Sequence, residues 1–274
     1  MQISRRSEQS NILEVLLARR RQTSHPVIKQ KQRAEDAEVI EPLVLLPGLM
    51  CDARLFQAQL TALSHERAVM VAPIFGGERV EEIASGLLDQ LPHRFALSGF
   101  GLGGSVALEI VRRAADRVTR LCLLATDAQA DTPHIAASRE DLIVGAQAGR
   151  LDEMMRKVIG SDMMAPGPQR IPILNDVLQM ADALGPGVFV SQMRTLQRRP
   201  DQQGTLRRIR MPTLVVCGAH DAESPVRKHA FMADLIPGAE LRVIDAAGHF
   251  PTLETPETVN AMLRDWMQIP PRLT

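Results

Sequence analysis

From Pro42 onward the chain alternates short apolar runs with stretches of helical period, and this alternation constrains the fold more than any other feature. "PLVLLPG" (42–48), "RAVMVAPIF" (67–75), "RFALSGF" (94–100), "VTRLCLLATD" (118–127), "PTLVVCGAHD" (212–221) and "ELRVIDAAGH" (240–249) are runs too short for helices. Most carry apolar residues consecutively rather than at every second place, so they need cover on both faces. Helical segments such as "ERVEEIASGLLDQL" (78–91) and "LGGSVALEIVRRAADR" (102–117) lie between them and supply that cover. The pattern predicts an α/β fold, with a mostly parallel central sheet flanked by helices. A last helix is expected to start at Thr255-Pro256-Glu257, with a capping hydroxyl, a proline in the first turn and an acid at the positive end of the dipole.

The alternation stops between Ala128 and Arg210. "SREDLIVGAQAGRLDEMMRKVIGSDMM" (138–164) and "RIPILNDVLQMADALGPGVFVSQMRTLQRR" (170–199) read as helices broken by Gly and Pro. Residues 128–210 are therefore expected to form a helical cap inserted into a core made of 42–127 and 211–274. Met154, Met155, Met163, Met164, Met180 and Met193 are expected to fill space between packed helices, the alternative being an adaptable lining over a pocket. Residues 1–41 form an N-terminal extension in which Asn11–Gln22 has the pattern of a short amphipathic helix.

Charge excludes some functions. The chain has 32 basic and 32 acidic residues and a formal net charge of +0, which gives no electrostatic case for nucleic acid or an anionic membrane surface. No apolar run is long enough to span a bilayer. Cys51, Cys122 and Cys217 are far apart, without metal-ligand or redox spacing, so a reducing, cytoplasmic setting is expected and no metal or cofactor is called for.

The glycine-rich turn of "LSGFGLGGSVALE" (97–109) admits two readings. Gly99 to Gly104 spells G-x-G-x-x-G, the dinucleotide fingerprint, with Asp127 near the spacing of a ribose-binding acid. The same turn, sitting between a strand and a helix, resembles the nucleophile elbow of the α/β-hydrolase superfamily. Three further stretches carry that resemblance: "LLPGLMCDARLF" is similar to the oxyanion loop, "GAHDAESP" to the acid loop and "AAGHFPTLETPE" to the histidine loop. All four follow strands, in the family's order, across residues 42 to 269. The dinucleotide reading leaves the last two loops without a role.

The resemblance implies a catalytic base at His249, an orienting acid at Asp221 with Asp127 in reserve, and oxyanion donors from the N–H groups of Leu49 and Leu102. The nucleophile position falls on Gly101, where the family carries serine. Acyl-enzyme chemistry through that residue is therefore impossible, and Ser98 and Ser105 are the neighbouring hydroxyls that need to be weighed as replacements. Three functions follow: an ester or acyl hydrolase-type site lacking its nucleophile, a proton-transfer enzyme using His249, or a binding protein for a small ligand. The expected partner is a small, apolar, ester-like molecule; an aromatic content of 3% argues weakly against sugars.

Overall fold

In the computed structural model, the structure describes residues 40–270; the helix expected at Asn11–Gln22 lies outside them. Six strands form one sheet: β1 (Leu43–Leu46), β2 (Val69–Val71), β3 (Phe95–Phe100), β4 (Val118–Leu124), β5 (Thr213–Gly218) and β6 (Glu240–Ile244). Their order is β2-β1-β3-β4-β5-β6 and every pairing is parallel. All residues of β1, β3, β4 and β5 are buried, which is why their sequences lack strict alternation. The edge strands β2 and β6 are more exposed, and β6 carries the polar Glu240 and Arg242.

Helices α1 (Gln57–Leu63), α2 (Val80–Leu88) and α3 (Leu102–Ala114) make the early crossovers. Between β4 and β5 there are only helices: α4 (Pro133–Gln147), α5 (Leu151–Val158), α6 (Arg170–Arg198) and the short α7 (Gln203–Leu206). Thr132 caps α4, its hydroxyl accepting the Ile135 N–H at 3.3 Å with Pro133 following. Long α6 is two helices joined at a kink, where Gly185 adopts φ 79° immediately before Pro186. The six methionines singled out in this region are buried and fill space between helices, and Met163 also borders a cavity.

After β5 come α8 (Val226–Leu235), α9 (Pro251–Glu254) and α10 (Pro256–Gln268). Thr255 precedes α10 as expected but does not cap it; its hydroxyl donates back to the Pro251 carbonyl at 3.2 Å. The last strands are shorter than their apolar runs suggest. β4 stops at Leu124 because Ala125 turns to φ 47°. After Ile244 the chain leaves β6 and folds tightly over Gly218, where a Cβ would lie 2.2 Å from the Gly248 carbonyl oxygen.

Candidate active site

The strand ends bring four loops together. Leu49, Gly101, Leu102, Asp127 and His249 border one cavity of about 80 Å³ at the C-terminal end of the sheet. Such a place follows from the architecture, because parallel strands deliver their loops to one end and the reversal of strand order between β1 and β3 opens a crevice there.

Gly101 ends β3 and starts α3 with φ 52° and ψ −119°. Its N–H donates to the Leu124 carbonyl at 3.0 Å, and its carbonyl accepts the Thr126 hydroxyl at 2.6 Å. A Cβ at this position would meet only the Gly48 Cα at 3.7 Å and the Ala125 oxygen at 3.9 Å, both ordinary contacts. A side chain therefore fits here, and only the backbone conformation favours glycine. The neighbouring glycines have another reason. A Cβ at Gly99, Gly103 or Gly104 would fall within 2.4–2.5 Å of Gly103, Leu46 or Thr126 atoms. Close strand–helix approach uses up the literal G-x-G-x-x-G, and the turn follows the third strand, not the first.

His249 sits on the loop after β6, buried and held between two rings: Phe100 at 5.3 Å and Phe250 at 5.1 Å, both edge-on. Its Nδ1 lies 2.9 Å from Oδ2 of Asp221. The other Asp221 oxygen accepts the N–H groups of Glu223 (3.0 Å) and Ser224 (2.8 Å), so the carboxylate cannot turn away. An acceptor at Nδ1 fixes the neutral tautomer with its lone pair on Nε2, the atom able to take a proton. Burial alone would lower the His249 pKa, but the Asp221 charge and hydrogen bond outweigh it, and the pKa is raised above the ordinary value.

Asp127 does not reach the imidazole. It pairs with Lys228 at 3.0 Å and accepts the Gln129 N–H at 3.0 Å. Ser98 and Ser105 are buried within the core and border no part of the cavity. Among the described residues, the N–H groups of Leu49 and Leu102 donate to no protein acceptor, which leaves both free to bind an oxygen. No group of three His, Cys, Asp or Glu side chains among the described residues is placed to hold a metal ion. No helix among them is long and apolar enough to cross a membrane.

Several supporting residues carried no signal in the sequence. Gln192, buried on α6, accepts the Met50 N–H at 2.8 Å and so holds the loop after β1, where Met50 is at φ 51°. Glu254 accepts the N–H groups of Gly248 (2.9 Å), Phe250 (2.9 Å) and Ala165 (2.7 Å), fastening the His249 loop to the segment after α5. The His249 N–H donates to the Met163 carbonyl at 2.7 Å. His229, fully buried, accepts the Thr126 N–H at Nε2 (3.0 Å), and burial lowers its pKa. Apart from the bonds of Glu254 to Gly248 and Phe250, which lie within its own loop, these contacts span distant parts of the chain, so no local motif encodes them.

A family profile described as "Alpha/beta hydrolase family" matches residues 43–262. The chain is 24% identical over 253 residues to the pimeloyl-[acyl-carrier protein] methyl ester esterase of Neisseria meningitidis serogroup B, covering 88% of this chain and 98% of that protein. The protein of the same name from Aromatoleum aromaticum is 27% identical over 201 residues, 69% of this chain and 80% of that one. Among solved structures, a thermophilic esterase from Thermogutta terrifontis superposes with a TM-score of 0.76 at 26% identity, covering 83% of this chain and 89% of the esterase. The all-parallel sheet, the four loops at its C-terminal end and the profile match over most of its length together establish that the chain belongs to the α/β-hydrolase family.

Proposed function

We propose that this chain carries an ester-hydrolase site, complete except for its nucleophile, which binds a small acyl ester but forms no acyl-enzyme. The observation that carries the reading is the His249–Asp221 pair at 2.9 Å, facing a cavity that Gly101, Leu49 and Leu102 also border. His249 is the base, Asp221 holds its imidazole and stabilises the charged form, and the Leu49 and Leu102 N–H groups receive the carbonyl oxygen as it gains charge. The missing part is the attacking oxygen at position 101. A water activated by His249 can attack in its place, without the advantage of a tethered nucleophile.

The relatives named as methyl ester esterases support an acyl ester as the ligand class. The apolar side chains of Leu49, Val158, Ile159, Met163 and Leu196 around the cavity suit an aliphatic acyl arm. The three cysteines are free, buried thiols, which agrees with work in a reducing compartment such as the cytoplasm. The reading is tested by assaying short-chain p-nitrophenyl and methyl esters with the protein and with Gly101→Ser. Turnover by the variant only supports it. Equal turnover by both would replace it with a water-based or substitute-serine mechanism.

A further inference from the structure

A second cavity, of about 380 Å³, lies at the opposite end of the sheet, where β3, β4 and β5 begin and α3 ends. Along β4 it is on the order of 20 Å from the His249 cavity. Its inner wall is apolar, built from Val111, Val118, Ile209 and Met211. Its charged residues are Arg94, Arg112, Arg208 and Arg210, against the single carboxylate of Asp116. Arg112 is neutralised by Glu109 at 2.7 Å. Among the described residues Arg94, Arg208 and Arg210 join no ion pair; Arg208 and Arg210 touch only backbone carbonyls of Gly204, Arg207 and Ile209. In a chain of zero formal net charge this is a local excess of cations around an apolar hole.

Thr119, the second residue of β4, borders the cavity and is 9% exposed, yet its hydroxyl has no hydrogen-bond partner. A buried hydroxyl without a partner is uncommon, because leaving it unpaired costs free energy that a methyl group would not. This hydroxyl is closed off from the cavity, so its cost is one of packing.

We propose that this cavity binds a medium-chain aliphatic carboxylate, its chain against the apolar wall and its head met by the arginine cluster. An inorganic anion would leave the apolar wall unused, and a neutral lipid would leave the guanidinium groups unused. The site is separate from the ester site and does not depend on the reading of Gly101.

The test is titration of the full chain with sodium decanoate, followed by amide chemical shifts. Saturable shifts at Ala115, Thr119 and Ile209 are expected, with decanol binding at least tenfold more weakly. Arg94→Ala combined with Arg208→Ala, both exposed positions, should weaken decanoate at least tenfold. Thr119→Val serves as a control for packing: it should raise the melting temperature of the ligand-free protein and leave decanoate affinity unchanged. The proposal is overturned if shifts appear only around Leu49, Leu102 and His249, if decanol binds as well as decanoate, or if the arginine double variant leaves the affinity unchanged.

Discussion

The side-chain oxygen of Gln192 accepts the N–H of Met50 at 2.8 Å, joining the kinked helix α6 to the loop after β1 across 142 residues of chain. Leu49, the proposed oxyanion donor, immediately precedes Met50, so a residue of the inserted helices holds the loop on which that donor sits. The segment inserted between β4 and β5 therefore borders the cavity and also braces the loop after β1.

Gln192→Ala leaves the Met50 N–H buried without an acceptor, at a cost of about 1–3 kcal/mol. Urea unfolding should show that loss. In the Gly101→Ser background kcat should fall by about tenfold with KM little changed, because a displaced oxyanion donor is missed mainly in the transition state. An unchanged kcat would assign Gln192 to packing alone.

Glu254→Ala removes the acceptor for three backbone N–H groups around His249, two on its own loop and one on the segment after α5. The expected loss is about 3 kcal/mol, with a fall in melting temperature of roughly 6–12 °C. Amide exchange should speed up at His249 and Ala165 before it does so in the central strands. Protection unchanged at both would show that the loop is held by other contacts.

His249 and His229, both buried, are shifted to opposite sides of the ordinary value of 6.5: His249 above it, His229 below it. Imidazole NMR shifts followed with pH read both directly. The signs for stability differ accordingly. The raised pKa of His249 contributes stability that is fully present below 6.5 and is lost as pH rises through its folded pKa. For His229 the unfolded chain takes the proton first, so its burial destabilises the protein as pH falls below 6.5. Asp221→Asn should bring the His249 titration down, since its raising charge is gone.

Gly101→Ser fits without steric conflict but places a side chain at φ 52°, a strain of ~1–3 kcal/mol. Denaturant unfolding should find the variant less stable than the parent by an amount in that range. A variant as stable as the parent would mean that the turn relaxes to a different backbone conformation.

The sheet was legible in the sequence because β1, β3, β4 and β5 are buried on both faces and must be apolar throughout. Strand ends were not: Ala125 and Ala247 lie in apolar runs, yet Ala125 turns to φ 47° after β4 and the Ala247 carbonyl packs against Gly218 after β6. Of the site, the residues placed by local turns could be read, namely Gly101, Asp221 and His249. The bonds of Gln192 to Met50 and of Glu254 to Ala165 could not, since a glutamine or glutamate on a helix gives no hint of a distant backbone N–H. The glycine run misleads for a related reason: Gly99, Gly103 and Gly104 answer to close packing that a linear motif does not express.

The central claim, a site complete but for the atom that attacks, is tested most directly by a fluorophosphonate probe and peptide mapping of the adduct. The probe reports a serine activated by a neighbouring base, whatever the natural ester. The account predicts no adduct on the parent, a stoichiometric adduct at position 101 of Gly101→Ser, and loss of that adduct when His249→Ala is added. Labelling of the parent at another serine, or no labelling of Gly101→Ser although it remains folded, would contradict it.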